Sequence, residues 1–157
     1  MQILTVAFAA AIYAAGSGLS AAGPSPAPYS AVEVDPFVPD RGVAFPADYQ
    51  TALVDDIARE TSIAFKTIII VRAGDPPPFG HAVLRISGTV VGFKPGNFAK
   101  RSLIGFGAGG TVVSAQVRLA DASTGQVLLI REVKGAPENL ARKIAKLCSA
   151  ARLVNSD

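Results

Sequence analysis

The chain has 157 residues, half of them apolar and 17% charged, with a formal net charge of +3. That length suits one domain with a real core, and the charge is too weak and too evenly scattered to argue for nucleic acid, although it permits contact with anionic lipid or glycan surfaces. A single cysteine, Cys148, excludes a disulfide within the chain, and a single histidine, His81, leaves no cluster of histidines for a metal.

The first element is the run from Ile3 to Leu19, which is apolar or small throughout; the first charged side chain is Glu33. The run is shorter than the roughly 20 apolar residues that cross a bilayer as a helix, and it is rich in alanine. Small residues from Leu19 to Gly23 suit a signal peptidase. The expected organisation is therefore a signal peptide at 1–22, a Pro-rich extended segment at 23–30 and one domain at 31–154. Met1-Gln2 supplies no Lys or Arg ahead of the apolar core, which leaves an uncleaved anchor or a buried helix as alternatives. Cleavage implies a periplasmic or secreted protein, and retention an inner-membrane anchor. No cysteine lies near the cleavage region, so lipid attachment there is not expected.

Ala31-Val32-Glu33-Val34-Asp35 alternates as a strand with one face on a core does, and Pro36 is expected to end it. From Pro46 the period changes: Tyr49, Leu53 and Ile57 form one face of an amphipathic helix, with Asp48 at its positive end. Lys66 to Arg72 is β-branched and apolar without alternation, which reads as a central strand covered on both faces. Pro76-Pro77-Pro78 forces a surface loop. A long strand follows from Ala82 to Phe93, with Gly88 marking a bulge or a close contact. Thr111 to Leu119 and Gln126 to Lys134 form a hairpin about Asp121–Gly125, where Asp accepts backbone hydrogen bonds and Gly125 takes the left-handed conformation. A second amphipathic helix begins near Pro137, with Leu140, Ile144, Leu147 and Cys148 on its apolar face and its cations toward its C-terminal end. The order β-α-β-β-β-β-α predicts an α+β fold: a mostly antiparallel sheet of about five strands with two helices on one face. The other face is left to solvent.

Chemistry is sparse. Gly105 to Gly110 spells G-x-G-x-x-G, but a period-two strand follows where a phosphate site needs a helix N-terminus, so no nucleotide site is expected. Cys148 lies on a buried helix face, and no G-x-S-x-G elbow is present. Asp55 and Asp56 point roughly 100° apart on their helix and cannot act as a paired acid and base. Asp35 and Asp40 read as turn-flanking acids. No catalytic residue, cofactor or metal site is expected. The connection from Phe93 to Gly110 is the exception, because it exceeds what neighbouring strands need and interleaves cations with apolar residues. Phe98, Leu103, Ile104 and Phe106 would anchor in a partner or a bilayer interface, and Lys94, Lys100 and Arg101 would meet anionic groups. The alternative is a lid folded back on the sheet. The expected partner is an unidentified envelope protein or an anionic membrane or glycan surface; the oligomeric state is not legible.

The run Gly105-Phe106-Gly107-Ala108-Gly109, followed by Gln116-Val117-Arg118-Leu119-Ala120-Asp121-Ala122-Ser123-Thr124-Gly125-Gln126-Val127-Leu128, resembles a bacterial exported family catalogued as domain of unknown function 4410. The likeness runs from about Tyr29 to Ala151 and brings no catalytic residues with it. The element order is also similar to small envelope-assembly modules of the TolB N-terminal type. These resemblances imply an accessory, non-enzymatic role in the cell envelope. An enzyme is the competing reading, and it would need a pocket joining His81 to several carboxylates.

Overall fold

The computed structural model describes residues 29–96 and 110–151. Its elements are β1 (Ala31–Pro39), α1 (Ala47–Ala64), β2 (Ile69–Arg72), β3 (Val83–Lys94), β4 (Val112–Asp121), β5 (Val127–Gly135) and α2 (Pro137–Ala150). The α+β class and the element order are as the sequence implies. The expected signal peptide and most of the Pro-rich segment lie outside the described residues.

The strands form one five-stranded sheet in the order β2-β1-β3-β4-β5. Its pairing corrects the expectation of a mostly antiparallel sheet: β1 runs parallel to both β2 and β3, and only β3–β4 and β4–β5 are antiparallel. A second correction concerns β2, which is a four-residue edge strand and not a central one; Ile69 is 39% exposed. Its β-branched run led to the wrong reading because a short apolar stretch looks the same at an edge and at a centre. A third concerns β1, which continues through Pro36 to Pro39. The register with β3 slips between Val34 and Phe37, so the proline falls where the ladder is interrupted and its missing N–H costs little.

Alternation then sorts the sheet into two faces. Val32 and Val34 of β1, Leu84, Ile86 and Val90 of β3, and Val113, Ala115, Val117 and Leu119 of β4 are buried and belong to one core with Leu53 and Ile57 of α1 and Leu140, Ile144 and Cys148 of α2. Each such side chain contributes on the order of 1.5–3 kcal/mol. Ala141 and Ala145 are buried on α2, small enough to let the two helices approach closely. Arg142 Nε of α2 lies 3.5 Å from Glu60 Oε2 of α1 at the rim of that contact. The burial of Cys148 matches the sequence reading, and it pushes the thiol pKa up to about 12. The cations of α2 do not reach its last turn, so they sit along its exposed side and not at the C-terminal dipole.

Gly88 makes the closest approach in the sheet. A Cβ there would lie 2.4 Å from Phe37 Cε1 and 2.7 Å from the Gln116 carbonyl oxygen, so the glycine is the notch that admits the fully buried Phe37 ring.

The chain crosses the sheet twice between parallel strands. It leaves β1, returns through α1 to β2 on one side, then passes back over β1 to reach β3 through Ala73–Ala82. Right-handed parallel crossovers that step in opposite directions lie on opposite faces of a sheet. The second crossover is therefore a proline strap over the face the helices leave uncovered, and beneath it Ala31, Val71 and Val83 form a small separate apolar cluster.

Candidate interaction surfaces

Of the loop residues expected to meet a partner, Lys94 ends β3 and is exposed. Phe98, Lys100, Arg101, Leu103, Ile104 and Phe106 lie outside the described residues. The two feet of the loop are tied together: the Gly96 N–H donates to Thr111 Oγ1 over 3.1 Å. Beside them Phe93 stands edge-on to Phe45 and Tyr49, with ring centroids 5.1 and 5.2 Å away. Edge-to-face rings at this distance favour a fixed arrangement. The aromatic at the loop's start is thus committed to the N-terminal end of α1, and the cation next to it is free to face outward.

The strap builds a second surface. Gly74 and Gly80 take φ of +89° and +78°, which a side chain would resist, and they turn the chain at either side of the three prolines. Under the strap lies Glu33, only 9% exposed although charged. Arg85 Nε donates to its Oε2 over 2.8 Å, and Asp35 Oδ2 stands 3.8 Å from the same nitrogen. Asp35 is therefore no turn-flanking acid: it projects into a strand-borne ion cluster where its pKa is raised, first by burial and next by the charge of Glu33, against the opposing pull of Arg85. A cleft of about 420 Å³ opens here between Glu33, Arg85, His81 and the strap. His81 is exposed and its Nδ1 lies 2.8 Å from Ser30 Oγ, while Phe79 at the tip of the strap is fully exposed. Among the described residues, no group of three His, Cys, Asp or Glu side chains stands where it could hold a metal ion.

The Asp-x-x-Thr-Gly motif is a structural hub. Asp121 Oδ1 accepts from the Ser123 and Thr124 N–H groups at 2.9 and 2.8 Å and from the Ser123 hydroxyl at 2.6 Å, while Gly125 takes φ +72° to complete the turn. Its Oδ2 accepts from the buried Tyr29 hydroxyl at 3.0 Å, which ties the start of the domain to the hairpin. These donors, the Ser123 hydroxyl foremost, hold the carboxyl pKa down to about 2. Burial first, and then the bond to Asp121, push the Tyr29 phenol up to about 12.

The two ends of the sheet differ from each other. At the β2 end α1 overhangs the strand without closing on it, leaving an apolar groove of about 610 Å³ between Val54 and Ala58 of α1 and Ile70 of β2, with Asp55 and Arg72 on its rim. At the β5 end a nine-residue edge strand exposes Val127, Leu128 and Ile130, the last at 56%. The C-terminal part of that edge is guarded by α2, whose Lys143 ammonium donates to the Lys134 carbonyl over 2.7 Å. Sequence reasoning missed both ends, because neither alternation nor propensity says which strands will be outermost.

A mixed five-stranded sheet with two helices on one face and a strap on the other defines a small α+β module. The chain belongs to the family described as Domain of unknown function (DUF4410), whose model matches residues 44–136, more than half its length. Among solved structures it is similar to the PelC dodecamer from Paraburkholderia phytofirmans, with 17% identity and a TM-score of 0.55 over 85% of this chain and 94% of that one. It is also similar to protein XCC0632 from Xanthomonas campestris, with 11% identity and a TM-score of 0.51 over 82% of this chain and 89% of that one. At such identities the likeness is one of fold. No curated protein matches the sequence. No helix among the described residues is long and apolar enough to cross a membrane.

Proposed function

We propose that this chain is an exported, non-enzymatic assembly module of the bacterial cell envelope, and that its first partner is another copy of itself. The observation that carries the reading is the sheet with two unlike and unsealed ends, an apolar strand at one and an apolar groove at the other. Edges of this kind are templates for association. The fold it shares with a protein solved as a dodecamer supports the same reading. Export is supported by the apolar run from Ile3 to Leu19 followed by small residues. The test is intact and native mass spectrometry of the protein expressed with its own N-terminus in a bacterial host. A periplasmic species lacking the first 22 residues and present as an oligomer is expected. A chain that keeps its N-terminus would be anchored, and a monomer at every concentration would refute self-assembly.

A second reading places the β3–β4 loop against an anionic membrane surface. Exposed Lys94 beside a pinned loop base favours it, together with Lys100 and Arg101 in the sequence. Liposomes containing anionic lipid should lose the protein when Lys100→Glu and Arg101→Glu are combined; unchanged binding would remove this reading.

A further inference from the structure

We infer that copies of this chain join head to tail, the β5 edge of one copy entering the groove between α1 and β2 of the next. This rests on the self-assembly reading above and names its interface. Two unlike surfaces at opposite ends of one sheet make a heterologous contact, which closes into a ring or runs on as a filament, whereas a two-fold dimer would need one surface that fits itself.

The pairing follows from the pleat. Register places Arg131 opposite Val117 and Leu129 opposite Leu119, on the helix-covered face, and Ile130 opposite Arg118 on the other. At the far end Ile70 lies beside Val32 on the helix-covered face and Ile69 beside Ala31 on the other. A β5 strand laid along β2 with the faces of the two sheets continuous therefore sends Leu129 and Arg131 beneath α1. Leu129 then meets Val54, Ala58 and Ile70 in the groove, and exposed Ile130 meets exposed Ile69 on the other side. Each face covers apolar surface that a single copy leaves in water.

Charge selects the same pairing. Asp55 on the groove rim and Arg131 on the strand make no ion pair with any described residue, and they carry opposite signs on the side of the sheet where the two would come together. The guarded end of β5, where Lys143 takes up the Lys134 carbonyl, is left out of the contact. The unguarded stretch from Val127 to Arg131 is about as long as β2.

The experiment is a charge exchange on the exported protein, read by sedimentation velocity across a concentration series. Asp55→Arg alone and Arg131→Asp alone should each weaken association about tenfold or more, and the double exchange should recover most of that loss. Ile130→Lys should weaken it independently of charge. All three sites are exposed in the single copy or on its rim, and unchanged melting of each variant, with matching circular dichroism, checks that the fold persists. A wild-type protein that never associates overturns the self-assembly reading itself. A wild-type oligomer that the single exchanges leave intact, or that the double exchange fails to restore, overturns this interface while self-assembly stands.

Discussion

The two faces of the sheet are held by different physics. On the helix-covered face, side chains from β1, β3 and β4 mesh with α1 and α2 in one continuous apolar core. On the other, a proline strap covers a charged pair, and the apolar cluster beneath it has only three buried members. The first face draws its stability from shape and area, and so is sensitive to volume. The second depends on polar groups finding their partners, and so is sensitive to charge. The contrast also shows why a loop can close a parallel crossover here: Glu33 and Arg85 satisfy each other, so the strap need not bring an apolar helix face of its own.

The largest expected effect tests the volume side. Gly88→Ala places a methyl where the Phe37 ring and a backbone oxygen already sit, and the oxygen cannot swing away as a long side chain would. The substitution should cost about 2–3 kcal/mol in urea denaturation. Phe37→Leu in the same chain should make Gly88→Ala less costly, because the ring is part of the obstacle. A neutral Gly88→Ala would mean that the notch is not filled.

A smaller effect tests the charged side. Arg85→Met removes the partner of a carboxylate that is 9% exposed, and should cost about 1–3 kcal/mol because Glu33 is left without its partner. Adding Glu33→Gln should recover part of that loss, as two neutral groups are easier to bury than one orphaned charge. If the double variant is as unstable as the sum of the singles, the two residues do not depend on each other.

What could be read from the sequence divides along the same line. The helix-covered face was legible, because alternation in β3 and β4 and the four-residue spacing of Tyr49, Leu53 and Ile57 each record a one-sided environment. The hairpin was legible because Asp121 and Gly125 have local jobs. The strap face was not. Glu33 looked like the solvated side of an alternating strand, and Asp35 like the acid before a turn, because the group that buries the one and raises the pKa of the other lies some 50 residues away on β3. The position of β2 was illegible for the same reason: an edge is a property of the whole sheet. Of the candidate site, the sequence marked the β3–β4 loop, and the fold adds the two ends of the sheet, which no local pattern announces.

The smallest effect is a pH dependence, and it separates the two partners of the Tyr29–Asp121 bond. Asp121 titrates near pH 2 in the folded protein against an ordinary 3.8, so its contribution is complete above about pH 4 and is lost as pH falls toward 2. Tyr29 titrates near 12 against an ordinary 10.0, so its contribution is complete below about pH 10 and is lost as pH rises toward 12. The causes are unequal, and that gives the test. The Ser123 hydroxyl is the chief cause for Asp121, so Tyr29→Phe should leave most of the acid-side loss in place. Burial is the chief cause for Tyr29, so Asp121→Asn should abolish the acid-side loss and only shrink the alkaline one. Urea midpoints of the wild type and the two variants, measured from pH 2 to 12, decide it. Were Tyr29→Phe to flatten the acid limb, the phenol and not the hairpin turn would be what holds Asp121 ionised.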